Sequence, residues 1–161
     1  MVAKLLSEFE ARNIAVASIG TDSVVNYRRW IKDIEELQST KINFPLLCDI
    51  DMKILKQLGC ARDMPPVSQT TVTSFAVFLI DTDKRIRSIF KYSTTTGRNF
   101  YEILRTYDAL IMTNYHRVVT PANWAQGQEV LLNPEITPEE AQNYRYAQIK
   151  PYFRLSPCPP P

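Results

Sequence analysis

The chain has 161 residues, of which 45% are hydrophobic and only 4 are glycine, so it can bury a core and is not a disordered chain. Its 19 basic and 17 acidic residues are interspersed and leave a formal net charge of +2, which gives no footprint for nucleic acid. No apolar run approaches the roughly 20 residues of a membrane span, so a soluble protein without a visible address is expected.

Leu5, Leu6 and Phe9 recur at helical spacing, and the apolar residues 14–19 then read as a short buried strand. Asp22 or Ser23 can cap a second helix, with Val24, Tyr27, Ile31, Ile34 and Leu37 along one face. Residues 44–48 make the next strand and residues 52–58 a short helix. Gly59 is placed to stop that helix in a left-handed turn, before a loop over residues 61–69 that carries Pro65-Pro66. Phe75–Ile80 is an unbroken apolar run of strand length, as expected of a central strand covered on both faces. Asp81-Thr82-Asp83-Lys84 supplies a turn, and residues 85–92 alternate as an antiparallel partner nearer an edge.

Asn99 and Glu102 have capping-box spacing, and Phe100, Ile103, Leu104, Tyr107, Leu110 and Ile111 form the stripe of the helix that follows. Helices alternating with strands and ending in a hairpin and helix give an α/β class, a mixed sheet flanked by helices. Composition shifts after Arg117, which suggests a core over residues 1–117 and a C-terminal extension over 118–161. The extension has a second capping box at Thr137-Pro138-Glu139-Glu140 and reads as an extended segment with one short helix, without room for a large core of its own. Trp124, Tyr144, Tyr146, Tyr152 and Phe153 would anchor it to a partner surface. The Pro-rich end, Pro157 to Pro161, suits a fraying tail.

Three cysteines, Cys48, Cys60 and Cys158, lie far apart, and there is one histidine, His116. That excludes a disulfide framework, a zinc ribbon and a multi-histidine metal site. No metal and no cofactor is expected, and a reducing cytoplasm is the natural compartment. Asp49 and Asp51 beside Cys48 disfavour its thiolate, a helix C-terminus repels negative charge at Cys60, and Cys158 sits in an accessible tail. Cys48 and Cys60 read as ordinary thiols, Cys158 as open to incidental oxidation or a mixed disulfide, and His116-Arg117 as a helix end rather than an acid-base site.

Several motifs then occur in one order: Asp22-Ser23-Val24 with Trp30, Phe44-Pro45, Thr95-Thr96-Gly97-Arg98-Asn99-Phe100 with Glu102-Ile103-Leu104-Arg105, Arg117-Val118 with Thr120-Pro121, Trp124, and Pro138-Glu139-Glu140. On these residues the chain resembles the one-cysteine peroxiredoxins, of the peroxiredoxin-6 type, over nearly its whole length. The resemblance implies a thioredoxin-like mixed sheet, N-terminally truncated because the chain begins beyond the opening strands and the segment with the peroxide-reactive cysteine. It also implies a thiol-dependent peroxidase that reduces hydrogen peroxide and organic hydroperoxides in cell redox homeostasis. In that chemistry a cysteine thiolate attacks the O–O bond and the resulting sulfenic acid is reduced by an outside thiol. The family's Pro-x-x-x-Thr-x-x-Cys motif does not occur here, so the chain as written is expected to be deficient.

Of two arginines that normally flank the reactive cysteine, Arg98 matches the second, and Phe75 occupies the place of the first. A thiol in such a pocket would stay nearer its ordinary pKa of about 8.5. Arg98 is thus the one catalytic residue the resemblance supplies, as a supporting arginine that holds an anion together with the backbone amides ahead of the next helix. Its structural alternative is an ion pair with Glu102 or Glu8. The family's second activity, phospholipid hydrolysis, would find only Asp83 of its Ser/His/Asp set, and the plain turn reading is preferred. By resemblance the assembly is a homodimer, or a heterodimer with a related peroxiredoxin, with a thiol reductant if active. An inactive paralogue serving as an interaction partner is the alternative function. A third expectation is poor folding, with Phe75–Ile80 uncovered as an edge.

Overall fold

In a computed structural model of the protein, residues 1–62 and 72–160 are described. The predicted Pro65-Pro66 loop and the terminal Pro161 lie outside the described residues. The chain forms two compact units, Met1–Arg98 and Asn99–Pro161. The composition break after Arg117 does not coincide with that division.

In the first unit a 3₁₀ turn, Val2–Leu5, leads into α1 (Leu6–Ala11), and Leu5 and Phe9 are buried as their spacing predicts. β1 (Ser18–Gly20) pairs in parallel with β2 (Leu46–Cys48), Gly20 lying opposite Cys48. Both strands are shorter than the apolar runs that announce them. The crossover between them is α2 (Val24–Gln38), whose Ser23 cap accepts from the Asn26 N–H and whose end turns left-handed at Ser39, φ 46°. Its predicted face is only partly covered: Tyr27, Ile31 and Ile34 are half-buried, whereas Val24 and Leu37 are exposed.

Asp49, directly after β2, is buried and accepts from the backbone N–H groups of Ile54 and Leu55 at 3.3 and 2.8 Å, thereby starting α3 (Lys53–Gln57). Gly59, at φ 65°, ends that turn in the left-handed region where a side chain would be strained. β3 (Ala61–Arg62) and β4 (Val72–Thr73) pair antiparallel. Buried Leu55, Cys60 and Ala61 pack with Ile19, Met52, Leu58, Ala76 and Phe78 into a small core.

β5 (Phe75–Ile80) and β6 (Ile86–Tyr92) form the predicted hairpin, with Phe75 opposite Tyr92 and a register shift at Leu79/Ile80. The turn is held by Asp81, whose carboxylate accepts from the Arg85 N–H at 2.9 Å and from Arg87 at 3.5 Å. The backbone N–H of Arg85 and the Arg87 guanidinium hold that carboxyl below its ordinary range. One expectation fails: β5 is not covered on both faces. The two strands form a sheet of their own among the described residues, and Phe75, Ile80, Ile86 and Ile89 are exposed. An unbroken apolar run declares a strand's β-propensity, not the presence of neighbours to cover it. The uncovered strand is what the third expectation named.

The second unit opens with α4 (Phe100–Tyr115). Its Asn99 cap accepts from the Tyr101 and Glu102 N–H groups. The Glu102 carboxylate accepts from Arg105 at 2.6 and 2.7 Å and from Thr106 at 3.1 Å, so only half of the predicted capping box forms. Met112 is buried and Ile111 exposed, which moves the packed stripe one position from its predicted end.

Beyond α4 the extension contains more structure than its composition suggested. β7 (Val118–Val119), β8 (Val130–Leu132), β9 (Ala147–Lys150) and β10 (Phe153–Ser156) form a four-stranded antiparallel sheet in the order β7-β8-β10-β9. α5 (Pro138–Ala141) carries the full capping box predicted between Thr137 and Glu140. Met112, Val118, Trp124, Val130, Leu132, Ile136 and Ala141 make one buried core, with Tyr144, Tyr146 and Cys158 packed on it. The expected absence of a large core is therefore corrected, and most of the aromatic set anchors the segment to its own interior. Tyr152 is exposed, and Phe153 is half-buried on β10.

Strands of two to four residues separated by turns leave too short a period to read, which is why this sheet escaped pattern analysis. Arg154, buried on β10, donates to the carbonyls of Ile136 and Asn133 at 2.9 and 3.0 Å, closing the sheet over the α5 loop. β9 is exposed at all four positions, is followed at once by Pro151, and meets β10 through a register shift at Phe153/Arg154. Parallel and antiparallel strand pairs with helices place the chain in the α/β class. Among the described residues no helix is long and apolar enough to cross a membrane.

Candidate active site

Arg98 stands at the end of an exposed run, Ser93-Thr94-Thr95-Thr96-Gly97, that leaves β6 opposite Phe75. The run opens with a turn in which the Thr96 N–H donates to the Ser93 carbonyl at 3.0 Å and the Ser93 and Thr95 hydroxyls meet at 3.0 Å. Arg98 then lies with its Cζ 4.8 Å from the centroid of the Phe75 ring. The two residues singled out from sequence are thus brought together, as a cation on an aromatic face.

Both carboxylates expected for Arg98 are engaged by other cations. Glu8 accepts from Arg12 at 2.8 Å, and Glu102 binds Arg105 in a two-pronged pair, with Arg105 also donating to the Trp124 carbonyl at 3.0 Å. The Arg105 hydrogen bonds hold the Glu102 carboxyl below its ordinary range. Inside the helix, the Asn99 side chain takes the N–H groups of Tyr101 and Glu102.

The cysteines sit in unlike settings, and all three are free thiols. Cys48, half-buried, ends β2 opposite Gly20, where the Tyr27 hydroxyl packs so closely that a Cβ at Gly20 would collide with it. Burial chiefly, then the charges of Asp22 and Cys48, push the Tyr27 phenol up. Asp49 beside Cys48 is a structural clamp, and Asp51 is paired with Lys53 at 2.6 Å. The signal for Asp49 was available: an acid just ahead of a short helix can accept its unpaired N–H groups.

Cys60 is buried in the small core, its thiol donating toward the Leu58 carbonyl at 3.7 Å. Cys158 is a correction, because it packs against the core of the second unit rather than in an accessible tail. Among the described residues no cluster of three or more His, Cys, Asp or Glu could hold a metal ion. His116 follows α4 as its C-terminal cap, donating its N–H to Met112 at 3.0 Å, and Arg117 pairs with Glu140 at 2.8 Å. Asp83 lies in the exposed β5–β6 turn, whose hydrogen bonds are made by Asp81.

A sequence model described as the AhpC/TSA family matches residues 1–89, and one described as the C-terminal domain of 1-Cys peroxiredoxin matches residues 109–146. The 1-Cys peroxiredoxin of Dictyostelium discoideum is 38% identical over 98% of this chain and 66% of that protein. The mitochondrial peroxiredoxin PRX1 of Saccharomyces cerevisiae is 35% identical over 96% of this chain and 61% of its own length. The chain therefore spans somewhat less than two thirds of these two relatives.

Among solved structures, peroxiredoxin 6 of Arenicola marina superposes with a TM-score of 0.88 at 29% identity, covering 99% of this chain and 77% of that one. A yeast mitochondrial 1-Cys peroxiredoxin gives 0.86 at 34% identity, covering 97% and 76%. These likenesses establish the thioredoxin-like fold and agree with the motif order read from the sequence. The chain belongs to the AhpC/TSA family, within its one-cysteine peroxiredoxin branch.

Proposed function

We propose that the protein serves as a thiol-dependent peroxidase, reducing hydrogen peroxide and organic hydroperoxides in cell redox homeostasis. The observation that carries this reading is the likeness to 1-Cys peroxiredoxins in sequence and fold along nearly the whole chain. In the reaction a cysteine thiolate forms an S–O bond to the peroxide as the O–O bond breaks. The departing hydroxide or alkoxide takes up a proton. A second thiol condenses with the sulfenic acid to a mixed disulfide with loss of water, and a further thiol displaces the cysteine as its thiol, leaving the two reductant sulfurs joined as a disulfide. Glutathione and thioredoxin systems are named for the yeast structural relative, and a thiol reductant of that class is the proposed partner here. Arg98 is the proposed supporting cation, stabilising negative charge on the peroxide oxygens.

None of the three cysteines in these residues is set up as the nucleophile. Cys60 is buried, Cys158 packs on a core, and Cys48 adjoins the buried Asp49 clamp. We therefore assign peroxide attack to a cysteine outside these residues and expect the 161-residue chain by itself to be deficient. Exposed Ile86 and Ile89 on β6 favour pairing with a second copy or with a related peroxiredoxin. Unpaired thiols favour a reducing, cytoplasmic compartment.

Two assays test this. Native protein purified from its source, given hydrogen peroxide and a thiol reductant, should consume peroxide catalytically; failure to do so would sink the peroxidase reading. The 161-residue chain alone should react with peroxide no faster than free cysteine. Rapid, stoichiometric oxidation abolished by Cys48→Ser would instead place the nucleophile at Cys48.

A further inference from the structure

In the second unit, α4 and the loop that leaves β7 line a groove of about 330 Å³. The helix contributes Arg105, Thr106, Leu110 and Thr113, and the loop Thr120, Pro121 and Asn123. The loop is tied down. The Trp124 N–H donates to the Pro121 carbonyl at 3.2 Å, closing a turn in which Asn123, at φ 58°, takes the left-handed position. Trp124, 1% exposed, anchors that turn in the core, and Arg105 joins it to α4 by donating to the Trp124 carbonyl at 3.0 Å. A groove whose walls are already held loses little freedom when it is filled.

Its polar groups divide by role. Of the five N–H protons of the Arg105 guanidinium, two go to Glu102 and one to Trp124, which leaves two for a carbonyl oxygen. The Thr106 hydroxyl gives its proton to Glu102 at 3.1 Å and the Thr113 hydroxyl to the Leu110 carbonyl at 3.2 Å, so both can only accept from a ligand. The Thr120 hydroxyl and the Asn123 carboxamide, which no described residue engages, can donate and accept. Leu110 and Pro121 supply the apolar part of the lining.

Charge selects against ions here. Arg105 and Glu102 form a pair that is formally neutral, so that an anion would meet the Glu102 carboxylate and a cation the guanidinium. Donors for a carbonyl, acceptors for an N–H and apolar surface in one groove match the backbone of an extended chain, in which C=O and N–H groups alternate. We propose that this groove docks an uncharged, extended peptide segment of a partner protein. Such docking is separate from peroxide chemistry and does not depend on it.

The test is titration of the full 161-residue chain with the blocked tripeptide acetyl-Ala-Ala-Ala-amide, followed through the backbone amide signals by nuclear magnetic resonance. Saturable shifts should centre on residues 105–113 of α4 and on the loop over residues 120–124. Thr113→Val and Thr120→Val each remove a hydroxyl at nearly constant shape and should weaken binding about two- to tenfold, the effect of one hydrogen bond. Inorganic sulfate, tetramethylammonium and the single amide N-methylacetamide should all bind these residues more weakly than the tripeptide.

No saturable shift with the tripeptide, or full affinity in either valine variant, would overturn the proposal. Equal binding by sulfate or tetramethylammonium would overturn it by showing that the groove selects charge, and equal binding by N-methylacetamide by showing that it holds one amide and not a chain. Should the valine variants fail to fold, Asn123→Gly suits the left-handed backbone there and removes only the carboxamide. It should weaken tripeptide binding by a similar factor, and unchanged affinity would again defeat the proposal.

Discussion

The two units of this chain use similar residues to different effect. In the second, short strands and a helix close on a core in which Trp124, Val130, Leu132 and Ala141 are at most 1% exposed. In the first, α2 buries no residue fully, the sheets among the described residues are two-stranded, and Leu37, Ile50 and Ile80 stand at 60% exposure or more. Hydrophobic content alone therefore does not make a core. What separates the units is whether each apolar face meets a second layer. An apolar surface of the kind the first unit shows is the sort that interaction partners cover.

The largest test of this contrast applies the same cut to both units. Leu132→Ala, at a site 1% exposed, should cost about 2–5 kcal/mol of stability, whereas Leu37→Ala, 75% exposed, should stay within about 0.5 kcal/mol. Urea denaturation followed by circular dichroism reads both, and equal losses would dissolve the distinction.

A smaller effect is expected at Arg154. Replacing it by Met keeps much of its bulk but leaves the carbonyls of Ile136 and Asn133 without their donor, at a cost of about 2 kcal/mol by the same measurement. A neutral result would mean that water takes over the guanidinium's role.

The smallest effect concerns acid. Hydrogen bonds from Arg105 and Arg117 hold the Glu102 and Glu140 carboxyls below their ordinary range. Above the unfolded-state value of about 4.3, both pairs contribute their full stabilisation. As pH falls below that value the unfolded chain binds protons first, and the contribution drains away through the depressed folded-state values. The urea midpoint of wild-type protein should therefore drop more between about pH 5 and about pH 3 than that of the Glu102→Gln, Glu140→Gln double variant. Parallel curves would show that neither pair matters to folding.

Sequence reading was most successful where a local rule suffices. Ser23, Asn99 and Thr137 cap helices as their residue types predict, Gly59 turns left-handed, and Phe75–Ile80 pairs with the strand after the Asp81 turn. It was least successful where outcomes depend on competition among distant groups. Glu102 could reach back to its cap or forward to Arg105, and the charged partner wins because a two-pronged ionic hydrogen bond is the stronger choice. Trp124 looked like an anchor for another molecule because nothing nearby in sequence reveals the β7–β10 sheet that encloses it.

The candidate site shows the same limit. Phe75 and Arg98 were each legible by motif and position, but a neutral ring and a cation carry no pattern that announces their contact. It appears only when the hairpin brings residue 75 to the end of the loop that carries residue 98.

The outer strand of the C-terminal sheet has a consequence for life at high concentration. A strand with one unpaired side can template further strands, which is how fibrils grow. β9 offers only four exposed residues, ends on Lys150, and is cut off by Pro151, which has no N–H to lend a newcomer. The register shift at Phe153/Arg154 kinks the ladder just behind it. A charge, an imino acid and a bend within a handful of positions thus oppose the addition of further strands at this edge.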